Sequence, residues 1–244
     1  MNKMSLTIDY SEGRFELGKN ILILGPRNSG KTSLVLTNIF LKFQSKLNYL
    51  FVVSRDEKYK EITSFLFDEN QLSSIFQQIQ SLNRFEKKLL IIDEVLAHDN
   101  PIIECILINS HFFNVTVVVV SKIGNFSMVI RDCFDNVAIG SEKSVTLVRD
   151  IFEKYGSIYG DFSHFLSVIV GLGKDEFLSI ARGNNISLIR VNDHWIRFLY
   201  SYRMFVRYDI LIKINGEKKS EKEDLVNKVN KMMEELFELK KRLV

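Results

Sequence analysis

Two prolines and two cysteines in 244 residues leave this chain with little that could serve as a linker or a covalent staple. So little proline excludes a Pro-rich hinge or an extended low-complexity arm. Cys105 and Cys133 are too few and too far apart for a disulfide framework or a zinc cluster, and a reducing compartment is the expectation. The histidines, His98, His111, His164 and His194, lack ligand spacing, so no transition-metal site is expected. Long apolar runs are absent as well: Val115 to Val120 and Phe165 to Leu172 fall well short of the roughly 18 residues a bilayer span needs. Asp9 and Glu12 precede any such run, and the chain is read as soluble and not secreted by a signal peptide. Nor is there a surplus of one charge. With 33 basic and 30 acidic residues, composition announces no polyanionic ligand, and any nucleic-acid contact must come from local clustering. There is no internal repeat, and 46% hydrophobic residues suffice for the core of one large α/β domain.

Against that plain background one stretch stands out. Gly25-Pro26-Arg27-Asn28-Ser29-Gly30-Lys31-Thr32 fits G-x-x-x-x-G-K-[ST], directly after the apolar run Ile21-Leu22-Ile23-Leu24 and before the helix-like Ser33 to Phe43. Glycines at both ends let the chain curl so that successive N–H groups face phosphate oxygens, and the helix adds its positive N-terminal end. The loop from Gly25 through Ser33 is therefore the expected ATP-binding segment. Lys31 is expected to reach the β- and γ-phosphates and Thr32 to place its hydroxyl on Mg²⁺. A Gly-rich turn that merely precedes a helix is the structural alternative.

Four further apolar runs, Tyr49 to Ser54, Leu89 to Asp93, Val115 to Ser121 and Asn136 to Gly140, are continuous and rich in branched residues, as in strands buried on both faces. Helix-like stretches between them give the rhythm of βαβ units, hence an α/β fold with a mostly parallel central sheet flanked by helices. The run ending in Asp93-Glu94 supplies two acids where a strand leaves the sheet. Asp93 is expected to hold Mg²⁺ through its water shell, and Glu94 to orient and polarise the attacking water. Without an N-K-x-D box, a guanine-specific GTPase is not expected. Surface acids capping a buried strand are the alternative.

In hydrolases of this class one strand usually lies between the loop strand and the acidic strand. Val115 to Ser121 fits that place, and its end offers Ser121 and Lys122 as sensors of the γ-phosphate; Lys122 can equally be a solvated strand-end charge. Leu6-Thr7-Ile8 and Phe15-Glu16-Leu17 bracket a turn and predict an N-terminal hairpin over residues 1–19. The ATPase core is placed at 20–182, a basic and aromatic extension of the same domain at 183–215, and an amphipathic C-terminal helix at 216–244. In that helix Leu225, Val229, Met232, Leu236, Leu239 and Leu243 alternate four- and three-residue steps. Such a helix can lie on its own domain or pair with a second copy.

From about Asn20 to Arg182 the sequence resembles the genome-packaging ATPases of large DNA viruses, the poxvirus type, a branch of the FtsK/HerA class of DNA-pumping ATPases. The loop with Arg27-Asn28-Ser29 and the pair Asp93-Glu94 are shared by many ATPases. More discriminating in order and spacing is His111-x-x-Asn114-Val115-Thr116, followed by Val129-Ile130-Arg131-Asp132 and a new strand. Two departures concern sensing rather than phosphate binding: Asn109-Ser110-His111 stands where the family commonly has Gly-Arg-His, and Lys122 where it commonly has Gln.

The resemblance implies a RecA-like (ASCE) P-loop NTPase fold, ATP hydrolysis and a ring of identical subunits. It also implies double-stranded DNA as substrate, a capsid or vertex protein as partner, and residence in the host cytoplasm (viral factory) or the virion. By position Arg131 matches the arginine such rings offer to the neighbouring subunit's γ-phosphate; pairing with Asp132 or Asp135 is the alternative. Arg190, Arg197, Arg203 and Arg207, interleaved with aromatics, are candidates to grip DNA phosphates. They can equally be wet edges of amphipathic elements. Two other functions fit the same residues: an AAA+- or helicase-type ATPase acting on other nucleic acid or on protein, and an ATP-gated scaffold whose turnover is incidental.

Overall fold

The computed structural model describes residues 15–63, 66–93, 100–122, 124–157, 160–182 and 185–191. The Leu6-Thr7-Ile8 half of the expected hairpin, Glu94, Arg197, Arg203, Arg207 and the heptad helix lie outside the described residues.

Strands β1 (Ile21–Leu24), β2 (Tyr49–Val53), β3 (Lys88–Asp93), β4 (Val115–Ser121) and β5 (Asn136–Gly140) are all parallel, and β6 (Glu176–Ala181) and β7 (Asn185–Arg190) extend the sheet antiparallel. The order is β2-β3-β4-β1-β5-β6-β7. β4 therefore lies between the loop strand and the acidic strand, the place expected for it, and its β-branched run is buried between the two helical layers. Residues 21–24 have no exposed surface at all.

Alternation along each strand feeds two cores. Leu22, Leu24, Leu90, Ile92, Val117 and Val119 face one side, and Ile21, Ile23, Leu89, Ile91, Val118 and Val120 the other. Each such side chain contributes about 1.5–3 kcal/mol of burial. The first layer is covered by α3 (Leu72–Ser81), α4 (Pro101–Asn109), α5 (Met128–Asp132), α6 (Val145–Ile151) and α7 (Phe162–Gly171). Sequence sets their starts: Asn100, Ser127, Ser144 and Asp161 cap α4, α5, α6 and α7 through side-chain oxygens that accept from the first turn.

The second layer is the helical stretch after the phosphate-type loop: α1 (Lys31–Leu34), a π-helical segment (Val35–Phe40) and α2 (Leu41–Phe43). Thr37 at the start of the widened turn donates its hydroxyl to Ser33 O at 2.8 Å, a back-bond that competes with the regular ladder.

Two expectations change. Phe15 to Leu17 form no strand; Phe15 is buried in the second core, and Gly18 N–H donates to Thr116 Oγ1 at 2.7 Å, which fixes the chain to β4 through one side chain. The boundary drawn between residues 182 and 183 falls inside the β6–β7 hairpin, because the apolar β6 completes its ladder only by pairing with β7.

Candidate nucleotide site

Everything chemically notable gathers at the carboxyl ends of the parallel strands. Leaving β1, the backbone passes Gly25, whose N–H donates to Ser121 O at 3.3 Å, and turns through two left-handed residues, Asn28 (φ 62°) and Gly30 (φ 88°). Asn tolerates that region, and glycine is indifferent to it. Gly30 also needs its bareness for space. A Cβ there would lie 3.1 Å from Asp175 Cα in the turn before β6 and would collide with the Asp175 carboxylate. Ser29 is buried against Gly25 and Gly140, and its hydroxyl makes no hydrogen bond among the described residues.

Lys31 is buried, and its ammonium donates to Gly25 O at 2.9 Å and Pro26 O at 2.8 Å, so the side chain folds back over its own loop. Thr32 Oγ1 stands between two carboxylates, 3.4 Å from Asp93 Oδ2 at the end of β3 and 3.2 Å from Asp56 Oδ2 just beyond β2. Asp93 is only 3% exposed. Tyr59, fully buried, donates its phenol to Asp93 Oδ2 at 2.7 Å. Burial first, then the charges of Asp93 and Asp56, push its ionisation well above the ordinary tyrosine range, so it remains a donor at neutral pH.

Arg27, Asn28, Gly30, Lys31, Thr32, Ser33, Asp56, Lys58 and Asp93 line one cleft. It joins a cationic, amide-rich loop to hard oxygen donors. The oxygens of Thr32 and Asp93, with the Asp56 carboxylate beside Thr32, suit Mg²⁺, which prefers such ligands and keeps part of its water shell.

Asp56 and Tyr59 were not readable as site residues in the sequence. The signal is an aspartate three residues past a buried strand that pairs beside the acidic one, inside a run, Arg55-Asp56-Glu57-Lys58, that reads as solvated charge.

The other candidates stand apart. Ser121 touches the loop through its carbonyl, while Lys122 is exposed past the strand end. Arg131, on α5, is half-buried and lies outside the cleft of its own chain. It forms no ion pair with Asp132 or Asp135, and its Nε is buried with no hydrogen-bond partner among the described residues. Arg190 is the cross-strand neighbour of Glu176 and donates to it from Nε at 3.1 Å. Arg190, then the Gly173 N–H, hold the Glu176 carboxyl below its usual range. His111 is exposed at the end of the helix–turn before β4. Both cysteines are free thiols, and no cluster of three His, Cys, Asp or Glu able to hold a metal occurs among the described residues. No described helix is long and apolar enough to cross a membrane.

A family model described as an AAA domain matches residues 18–115, from the turn before β1 to the start of β4. No curated protein matches the sequence. Among solved structures, the genome packaging NTPase B204 from Sulfolobus turreted icosahedral virus 2, in complex with ATP-gammaS, is similar with a TM-score of 0.59. Its identity is 13%, over 70% of this chain and 95% of that one. The same protein in complex with sulfate gives a TM-score of 0.61 at 12% identity, over 73% and 98%. The cytoplasmic domain of the Type VII secretion ATPase EccC from Thermomonospora curvata gives 0.52 at 9% identity, over 71% of this chain and 25% of that chain. At such identities the likeness establishes the fold. It is the P-loop ATPase fold, with the mostly parallel sheet that the sequence implied.

Proposed function

We propose that the chain is a Mg²⁺-dependent ATP hydrolase working as a ring of identical subunits that moves double-stranded DNA and loads a viral genome into a capsid. The observation that carries the catalytic part is the convergence of Lys31, Thr32 and Asp93 in one cleft, from two strands separated by β4. Thr32 and Asp93 would hold the cation, which when bound would supply charge neutralisation for the phosphates. Lys31 exchanges its loop carbonyls for phosphate oxygens. Glu94, adjacent in sequence to Asp93, orients the attacking water, and water is the acceptor. No covalent intermediate is needed; positioning and charge neutralisation lower the barrier.

Ring action rests on Arg131. It is outside its own cleft and bound to no acid of its own helix, which supports delivery to a neighbour's γ-phosphate, an interaction worth about 10³–10⁵ in rate in related systems. The DNA part is supported by likeness to B204, a genome packaging NTPase. The likeness to EccC, a secretion ATPase, supports the second reading, a motor of the same fold that acts on protein.

One experiment separates them: ATP turnover measured with and without duplex DNA at several salt concentrations, alongside particle sizing. The packaging reading expects stimulation by duplex only in the assembled form, insensitive to sequence and falling steeply with salt. Turnover indifferent to duplex in every assembly state favours the protein-acting motor, and no turnover at all removes both. Arg131→Ala should retain ATP binding but not turnover, and mixing it with Lys31→Ala protein should restore part of the activity if the arginine works across subunits.

A further inference from the structure

Asp56 is the residue of this cleft to which neither the loop motif nor the acidic pair gives a task. Its surroundings narrow the choice. One carboxylate oxygen, Oδ1, accepts from Lys58 N–H at 3.0 Å and caps a short 3₁₀ turn (Glu57–Glu61), while its own N–H donates to Ser54 Oγ at 2.9 Å. The side chain is therefore held in one orientation, with Oδ2 turned to Thr32 Oγ1 at 3.2 Å. The Thr32 hydroxyl has a single hydrogen, with two carboxylates and the Tyr59 phenol oxygen, itself a donor to Asp93, within reach. Asp93 Oδ2, at 3.4 Å, already accepts the buried phenol of Tyr59 at 2.7 Å. Asp56 Oδ2 is the nearer acceptor and receives no other hydrogen bond among the described residues.

We propose that Asp56 is a positioning residue for the metal: it takes the Thr32 hydroxyl hydrogen, so that the Thr32 oxygen presents its lone pairs to Mg²⁺ as a fixed and more basic ligand. Tyr59 does the corresponding work on Asp93, holding its Oδ2 in one position at the end of β3. Each ligand thus has its own outer partner, the arrangement that fixes orientation in metal sites generally. The 3₁₀ turn after β2 carries both partners three residues apart, so the β2 end acts as one clamp on a site whose ligands come from β1 and β3. This inference rests on the cleft being a Mg²⁺–nucleotide site.

Asp56→Asn provides the test, because asparagine caps as well as aspartate and leaves the 3₁₀ turn in place. With its oxygen kept on Lys58 N–H, its amide nitrogen faces Thr32 as a donor and engages the lone pair the metal needs. The Mg²⁺ concentration for half-maximal binding of a fluorescent ATP analogue should rise 10- to 100-fold, the range seen when outer partners of metal ligands are lost. Affinity for the same analogue in EDTA should stay within about twofold. An unchanged Mg²⁺ requirement overturns the proposal. Adding Asp56→Asn to Thr32→Ala should raise the requirement no further than Thr32→Ala alone; a further rise would mean that Asp56 meets the metal's shell without Thr32, and overturns it too. If the unmodified protein binds the analogue neither in EDTA nor in Mg²⁺, the nucleotide-site reading itself fails, which is a different result from either of these.

Discussion

Lys31 and Lys88 are both buried, and both give their ammonium hydrogens to backbone carbonyls, yet they sit at opposite edges of the sheet and do different things. Lys88 opens β3 at the amino edge. Its Nζ donates to Asn83 O at 2.7 Å, Glu86 O at 2.9 Å and Phe113 O at 3.0 Å, which uses all three hydrogens and ties two loops to one strand. Burial pushes its pKa down and the Glu86 charge pushes it back up, the lesser effect. Lys31, at the carboxyl edge, lies on a glycine-turned loop inside a cleft with Thr32 and Asp93. A buried lysine on carbonyls is therefore not in itself a site. What separates the two is the company: an enclosed turn in one case, and an open cleft with oppositely charged, hard-oxygen neighbours in the other.

Replacing each lysine by methionine sharpens the contrast. Lys31→Met should cost about 10³-fold in turnover, in line with loss of a charge stabiliser at the reacting phosphate, with little change in melting temperature. Lys88→Met leaves a buried side-chain position without its charge and three partly solvated carbonyls without their donor. It should lower folding stability by about 1–2 kcal/mol in denaturant titration while ATP affinity stays as it was. If Lys88→Met weakened ATP binding as Lys31→Met does, the division between a structural and a chemical edge would be wrong.

The smallest effect belongs to the pair at the sheet's far side. Because the Glu176 carboxyl is held below its ordinary range in the folded chain, the pair's contribution is present above the unfolded carboxyl value, about 4.3, and disappears as pH falls through the lower folded value. With Arg190 largely solvated, Glu176→Gln should cost only about 0.5 kcal/mol at pH 7 and nothing measurable at pH 2. Melting temperatures of the two proteins compared at those pH values would check it.

Much of the carboxyl edge was legible in the residues. The loop announces itself because a phosphate nest needs glycines at fixed places, and β1, β3 and β4 do so because strands covered on both faces cannot interrupt their apolar runs. The insertion of β4 between β1 and β3 came from the usual arrangement of hydrolases of this class, which Val115 to Ser121 fits. Asp56 and Tyr59 stayed hidden, since a carboxylate and a phenol in a charged stretch mean nothing until the β2–β3 ladder brings them to Thr32 and Asp93. Arg190 shows the limit from the opposite direction. Among basic and aromatic neighbours it reads as a candidate phosphate contact, and its ion-pair partner Glu176 is visible only in the fold, across the β6–β7 hairpin. The β6–β7 pair was unreadable for a related reason: a hairpin whose strands flank Gly183 carries no periodicity that separates it from an irregular extension.

The tight seat of Asp175 on Gly30 has a mechanical meaning. A bare methylene is all that separates the phosphate-type loop from the turn that begins β6, so the loop cannot lift toward the antiparallel pair without carrying that turn along. A steric contact of this kind passes on a push but not a pull, so the loop and the turn before β6 are coupled in one direction only.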